Sequence, residues 1–228
     1  MSTQPESIPP NHTLLPDDYE LKPVLRGWIH AISAPLTLAA CIVLLVLAPT
    51  TGRKIACAVY LASTLMLFGT SAVYHRGTWG VKGDAILRRM DHSNIFLLIA
   101  GTYTPIAVGS LDTYNATVLL SIVWGGAFIG ILMRIFWLEA PRWIYTSIYV
   151  ILGWVAVWYL FPIAHSVGWA VVWLLIAGGL TYTLGAVFYG FRWPGRYALI
   201  FGFHEFFHTC TVAGWTLMCV AAYIAILS

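Results

Sequence analysis

Long apolar runs, separated by short polar breaks, occupy the chain from about residue 25 to its end. Because a transmembrane helix needs about 20 mostly apolar residues, the pattern predicts seven membrane-spanning helices. They lie at residues 25–48, 55–75, 91–110, 115–133, 142–161, 168–189 and 202–226. Two of the predicted breaks, 76–89 and 162–168, contain the charged, proline or glycine residues typical of loops. Pro35 and Pro105 fall inside predicted helices, where we expect kinks or local openings of the backbone hydrogen bonds.

The composition indicates a membrane protein. Of the 228 residues, 60% are hydrophobic and 9% are charged, and the mean hydropathy is +0.80, whereas soluble domains carry about a quarter charged residues. We predict an all-α integral membrane fold: a seven-transmembrane helix bundle over residues 24–228, preceded by a flexible polar tail over residues 1–23. The chain has no basic stripe of the kind that binds nucleic acid, so we expect membrane lipids as partners. Lacking CxxC spacing, the cysteines are interpreted as buried thiols: Cys41, Cys57, Cys210 and Cys219.

Basic residues between the predicted helices fall mostly on one side of the membrane. Ten lie on the side of the N-terminus: Lys22, Arg26, Arg76, Lys82, Arg88, Arg89, Arg134, Arg142, Arg192 and Arg196. The other side has two, Arg53 and Lys54. Because cytoplasmic loops carry an excess of lysine and arginine, the bias predicts a cytoplasmic N-terminus. After seven crossings, the C-terminus at Ser228 is predicted to lie outside.

Two histidines, His204 and His208, lie four residues apart at the start of the last predicted helix. At that spacing both imidazoles project from one face of a helix. The predicted topology places them at the cytoplasmic end. His75 ends the second predicted helix and Asp91 begins the third at that same end. The sequence therefore predicts three imidazoles and one carboxylate at one level near the inner face.

These residue types are typical of an open zinc site, in which three imidazoles bind Zn²⁺ and water takes the fourth position. The metal lowers the pKa of that water towards about 7, and we expect Asp91 to bind the water or to act as a general base. Ser71, one turn before His75 on the same helical face, is a candidate hydrogen-bonding partner in the site. The remaining histidines are interpreted as solvated or interfacial residues: His12, His30, His92 and His165.

Three sequence blocks resemble the signatures of the hemolysin III proteins, the bacterial branch of the progestin and adiponectin receptor superfamily. They are SAVYH at 71–75, MDHSNIFLLIAGTYTP at 90–105 and HEFFH at 204–208. The blocks occur in the order expected of that family, on the second, third and seventh predicted helices, and the resemblance extends over the chain from about Lys22.

The resemblance implies a seven-helix bundle in the bacterial inner membrane, with zinc near the cytoplasmic leaflet. By analogy with the adiponectin receptors, His75, His204 and His208 would be the metal ligands, Asp91 would hold the water and Ser71 would lie beside it. The superfamily is also similar to the alkaline ceramidases, which cleave lipid amides with the same type of site. Eukaryotic members have a longer N-terminal domain that this chain lacks.

Several functions fit these observations. We expect a zinc-dependent hydrolase of lipid amide or ester bonds. The alternative is a non-enzymatic membrane-homeostasis or sensor protein, in which structural zinc joins two helices; a closed fourth coordination position would favour it. An intramembrane metalloprotease is suggested by HEFFH, with Glu205 as general base, but no carboxylate follows Glu205 as a third ligand. A cytolytic protein fits least, because the sequence shows no pore-like lining.

The block GTYTP, residues 101–105, has a second interpretation besides chemistry. Gly101 would allow two helices to approach closely, and the threonines would form hydrogen bonds between helices. We therefore assign the block no catalytic role.

Overall fold

The computed structural model describes residues 23–137, 140–193 and 199–228, and within them all regular structure is helical. The helices are α1 Trp28–Leu47, α2 Thr51–Arg76, α3 Val81–Ser110, α4 Thr113–Phe136, α5 Arg142–Gly153, α6 Leu160–Val167, α7 Trp169–Phe191 and α8 Phe203–Leu227. A short 3-10 helix, Val155–Tyr159, lies between α5 and α6. All but the last residue of the predicted N-terminal tail lies outside the described residues.

Six helical segments in the described part of the chain are long and apolar enough to span a membrane. They are α1, α2, α4, the combined segment Arg142–Val167, α7 and α8. The described part of the chain is thus all-helical with several membrane-spanning segments, as the hydropathy pattern predicted.

Helix α3 begins about ten residues earlier than the sequence predicted. Residues from Val81 onwards are helical, so the expectation of a loop across 76–89 is wrong for most of that range. Hydropathy marks the part of a helix that lies in lipid, and a helix can continue past that part with charged residues on its surface. Arg89 in this extension donates to the Ala85 carbonyl at 3.2 Å and to the Ile135 carbonyl at the end of α4 at 3.4 Å.

The fifth membrane segment is broken in its middle and not at Pro162, where the sequence predicted its end. The break lies between Gly153 and Leu160, and α6 continues through Pro162 to Val167. Pro162 is the third residue of α6, a position whose backbone N–H has no partner within the helix, so proline is tolerated there.

Tyr103 on α3 supports this break through its hydroxyl group. The hydroxyl donates to the Gly153 carbonyl at 2.7 Å and accepts from the Ala156 N–H at 2.9 Å. Backbone groups freed by a break inside a membrane must find partners in the protein. The tyrosine of GTYTP supplies one, on a neighbouring helix.

Helices α2 and α3 pack in close contact through small and polar residues. A Cβ atom at Gly101 would overlap the Ser63 side chain. Nearer the start of α3, the Asn94 amide donates to the Met66 carbonyl at 2.7 Å and to the Thr70 hydroxyl at 3.0 Å. The helix-packing interpretation of Gly101 is therefore confirmed.

The two threonines of GTYTP bond mostly within α3, so the expectation of hydrogen bonds between helices is wrong for Thr102 and holds for Thr104. Thr102 and Thr104 donate to carbonyls of their own helix, Leu98 and Ala100. Thr104 also accepts a hydrogen bond from the indole of Trp124 on α4 at 3.2 Å. Helices α1 and α3 are continuous through their prolines, Pro35 and Pro105. The four cysteines are free and buried, as expected.

One end of the bundle brings together the starts of α1, α3 and α8 with the end of α2. Arg26, just before α1, forms an ion pair with Glu205 on α8 at 2.9 Å, and Gly27 packs against His75 at the end of α2. At the opposite end, Arg53 donates to the Ile226 carbonyl at 2.6 Å. The predicted site residues all belong to the first of these ends.

Candidate metal centre and adjoining cavity

Three histidines converge at the end of the bundle where α2 ends and α8 begins. One candidate ligand nitrogen from each of His75, His204 and His208 lies within 4.8 Å of the other two. The Nε2 atoms of His75 and His204 are 3.3 Å apart. His75 and His208 are buried, and His204 is half-buried. The structure thus brings together the three residues that the topology argument had placed at one level.

One nitrogen pair of this His cluster, His75, His204 and His208, has the spacing that a zinc ion requires. Tetrahedral zinc with Zn–N bonds of about 2.0–2.1 Å holds two ligand nitrogens about 3.3 Å apart, which is the spacing of the His75 and His204 Nε2 atoms. The Nδ1 atom of His208 is buried and has no hydrogen-bonding partner among the described residues. Without metal, the contact between His75 and His204 is a hydrogen bond between two imidazoles. The donor set also suits other metals that bind imidazole.

Asp91 places a carboxylate next to the His75 nitrogen that faces His204. Its Oδ2 atom lies 3.6 Å from the His75 Nε2 atom, the atom that also contacts His204. Ser71, one turn before His75 on α2, is buried and lies beside the carboxylate. Both residues are therefore at the centre, where the sequence had placed them, with Asp91 close enough to meet a bound metal directly or through water.

Glu205 does not face the His cluster, although it follows His204 directly. One carboxylate oxygen accepts from the Arg26 guanidinium at 2.9 Å, and the other accepts from the Gly202 N–H at 2.9 Å. Glu205 is the third residue of α8, and a carboxylate there satisfies a free N–H at the helix start. Both oxygens are thus engaged in holding the start of α8, which speaks against a general-base role.

The segment before α1 covers the outer side of the centre. Its backbone pairs with the segment before α8 through the Val24 N–H and the Leu199 carbonyl, at 2.9 Å. Gly27 has a φ angle of +82°, and a Cβ there would lie 2.8 Å from the His75 Cβ. Glycine is required here both for the positive φ and for the close approach to His75.

His30 on α1 is a fourth histidine at the centre, which the sequence analysis missed. The interpretation of His30 as an interfacial residue is wrong, because the side chain is 2% exposed and its ring stacks on His208 with centroids 3.9 Å apart. Alternating crossings placed the end of α2 and the start of α3, with His75 and Asp91, at one membrane level. The same reasoning applies to the start of α1 and could have located His30 there. His92 is half-buried and hydrogen-bonded to the Arg88 carbonyl, His165 is exposed, and His12 lies outside the described residues.

A cavity of about 140 Å³ adjoins the centre. Its polar end is lined by His30, Ser71, Asp91 and His208, and the rest of its wall is almost entirely apolar, with residues from α3, the broken fifth segment, α7 and α8. Apolar cavities of about 150 Å³ bind benzene-sized molecules. The space therefore suits part of an acyl chain whose polar end lies at the His cluster.

Comparisons with known proteins identify the family of this chain. The family model described as "Haemolysin-III related" matches residues 19–219. The chain is 33% identical over 200 residues to "Hemolysin-3" of Bacillus cereus, covering 86% of this chain and 88% of that protein. It is also 33% identical over 163 residues to the "Hemolysin-3 homolog" of Bacillus subtilis (strain 168), covering 70% of this chain and 76% of the relative. The chain belongs to the hemolysin III family.

Proposed function

We propose that this protein is a zinc-dependent membrane hydrolase that cleaves amide or ester bonds of lipids. The observation that carries the proposal is that His208 of the His cluster lines the polar end of an apolar cavity together with Asp91. A metal that only joined helices would need no cavity beside it. A site that adjoins an acyl-sized space can present the carbonyl of a lipid to the cluster.

The chemistry divides between the metal and the chain. Zinc held by His75, His204 and His208 would supply a Lewis acid that polarises the carbonyl and acidifies water. The Asp91 carboxylate accepts the proton of the attacking water and then delivers it to the leaving amine or alcohol, so that the products are a carboxylic acid and that leaving group. Ser71, beside Asp91, orients the carboxylate.

We also propose that α3 crosses the membrane, which makes seven crossings in all. Its 30 residues give a length of about 45 Å, and it contacts α2, α4 and α8. Helix α3 is not among the six spanning segments because it carries polar groups, which it buries against its neighbours and not against lipid: Ser93, Asn94, Thr102, Thr104 and Ser110.

The basic residues then set the orientation. Arg26, Arg76 and Arg89 lie at the end of the bundle that holds the His cluster, and Arg53 lies at the other end. By the positive-inside rule, the centre faces the cytoplasmic leaflet and the N-terminus is cytoplasmic. We propose that this chain, like its relatives a member of a family found in bacteria, lies in the bacterial inner membrane. The cavity then reaches from the level of the lipid headgroups towards the acyl region.

Three other functions are distinguished from the hydrolase by the geometry of the site or by the same assay. The metalloprotease alternative requires Glu205 to face the metal, and its ion pair with Arg26 argues against this. A structural zinc site predicts a bound metal without turnover. Because both relatives are named for haemolysis, release of a dye trapped in the vesicles, without any lipid cleavage, would favour a cytolytic function.

The test is hydrolysis by the zinc-loaded protein in vesicles that contain N-acyl amides and phospholipids, with released acid measured by mass spectrometry. We expect Asp91→Asn to lower the rate at least about a hundredfold, the usual effect of losing a general base. Asp84→Asn, on the same helix but outside the centre, is the matched control and should retain activity. Stoichiometric zinc without acid release from any of these lipids would refute the proposal, as would full activity in Asp91→Asn.

A further inference from the structure

His30 combines three properties that the proposed chemistry does not use. It is 2% exposed, its ring stacks on His208 with an interplanar angle of 6°, and it lines the cavity. Phe68 packs edge-on against its ring, with centroids 4.9 Å apart. The imidazole is therefore held in a fixed position between α2 and α8.

Both ring nitrogens of His30 are buried without a hydrogen-bonding partner in the described part of the chain. A backbone group of His208 lies nearby, but not in hydrogen-bond geometry. Buried polar groups are nearly always hydrogen-bonded, and leaving one unpaired costs stability. A residue kept in this state beside a cavity is suited to bind whatever enters the cavity.

His30 is not placed to bind the metal. The three histidines whose nitrogens converge are His75, His204 and His208, and His30 lies outside that group. Its ring is stacked on the ring of His208, and two imidazoles that lie face to face do not direct their nitrogens to one point. Its hydrogen-bonding capacity is therefore free for a ligand next to the metal.

We propose that His30 binds an uncharged polar group, a hydroxyl or an amide, that lies within a few bonds of the carbonyl of an acyl lipid. A neutral imidazole offers one donor and one acceptor, and a hydroxyl offers the same pair. No lysine or arginine is among the described residues that line the cavity, so a phosphate there would lack a counter-charge. The preferred class is an acyl amide or ester whose uncharged head group carries a free hydroxyl. This inference rests on the proposed function, because it assumes that a lipid carbonyl reaches the His cluster.

The test compares two probes, N-dodecanoyl ethanolamine and its deoxy analogue N-dodecanoyl ethylamine. Binding is measured on the zinc-loaded protein in nanodiscs, in an Asp91→Asn background that prevents turnover. His30→Phe keeps a flat ring for stacking but removes both nitrogens, and we expect it to weaken binding of the ethanolamide about tenfold while the ethylamide is unaffected. His30→Gln retains a donor and an acceptor and should restore most of the affinity. The exposed His165→Phe is the control.

A measurement without a variant accompanies this series, in case His30→Phe does not fold. The ¹⁵N signals of the His30 ring should shift on addition of the ethanolamide and not of the ethylamide. Equal binding of the two probes by protein with native His30 would overturn the inference. An affinity for the ethanolamide that is unchanged in His30→Phe would also overturn it. Loss of zinc in His30→Phe but not in His30→Gln would also overturn it, because His30 would then only position His208.

The inference and the proposed function can fail separately. Protein with native Asp91 that binds the ethanolamide through His30 but releases no dodecanoic acid contradicts the hydrolase and leaves the role of His30 intact. Protein that hydrolyses both probes equally, with and without His30→Phe, supports the hydrolase and contradicts the inference.

Discussion

Arg26 and Glu205, 179 residues apart in sequence, form an ion pair at 2.9 Å in which the glutamate is 1% exposed. The pair joins the segment before α1 to the first turn of α8, which carries two members of the His cluster. The second oxygen of Glu205 accepts the Gly202 N–H. Glu205 therefore fixes the position from which His204 and His208 project, although it does not face them.

Replacing Glu205 should affect stability and leave the metal in place. Glu205→Gln keeps an acceptor for the Gly202 N–H but removes the charge that pairs with Arg26, at a cost on the order of 2 kcal/mol. We expect a lower melting temperature with zinc content retained. The double variant Arg26→Gln/Glu205→Gln should recover part of the loss, because no unpaired charge remains. A fully stable Glu205→Gln protein that has lost only its activity would instead indicate the metalloprotease.

Gly27 is the backbone position most closely coupled to the centre. Its φ is +82°, and a Cβ added there would lie 2.8 Å from the His75 Cβ, so there is no room for a side chain. Gly27→Ala should lower the free energy of unfolding by about 1–3 kcal/mol and weaken zinc binding, measured by thermal unfolding with and without chelator. Gly52→Ala is the matched control, because a Cβ there meets nothing within 4 Å. Equal effects at the two glycines would contradict the described geometry.

The sequence predicted most of the membrane helices, because lipid requires about 20 apolar residues per crossing. It also predicted the gathering of His75, His204, His208 and Asp91, since alternating crossings place helix ends at two levels only. The early start of α3 could not be obtained in this way. Hydropathy does not distinguish a charged helical extension from a charged loop, and α3 continues as a helix back to Val81.

The contact between Gly101 and Ser63 should set the spacing of α2 and α3. A Cβ at Gly101 would overlap the Ser63 side chain, so Gly101→Ala should separate the helices and lower the melting temperature. Ser63→Gly in the same chain should restore it by making room. Gly69→Ala, also within a helix but with no atom within 4 Å of its Cβ, should have no such effect. Failure of Ser63→Gly to rescue would show that the contact is not responsible.

Tyr103 should control the stability of the break between α5 and α6. Tyr103→Phe removes the hydroxyl that bonds Gly153 and Ala156, and we expect a cost of about 1–3 kcal/mol for the backbone groups left unpaired. Hydrogen exchange at the Ala156 amide should become faster while α8 is unchanged. The control is Tyr114→Phe, whose side chain is 76% exposed. Unchanged exchange at Ala156 would show that other groups hold the break.

Two details of the centre could not be read from the sequence, namely the burial of the His30 ring and the direction of the Glu205 carboxylate. A histidine in the first turn of a helix has the same local pattern whether it faces headgroups or stacks on another ring, and only the approach of α8 buries His30. The HExxH spacing of HEFFH likewise does not show which way Glu205 turns. That direction depends on Arg26, which the fold brings from the far end of the chain.

The metal content of the purified protein tests the central claim most directly. Elemental analysis of the protein in detergent should give one zinc per chain, lost in His75→Ala, His204→Ala and His208→Ala and retained in the exposed His165→Ala. Each alanine variant should still be folded, as judged by its helical circular dichroism. Full zinc occupancy in any of the three variants, or no zinc in the unsubstituted protein after growth with added zinc, would contradict the assignment of this His cluster as a zinc site.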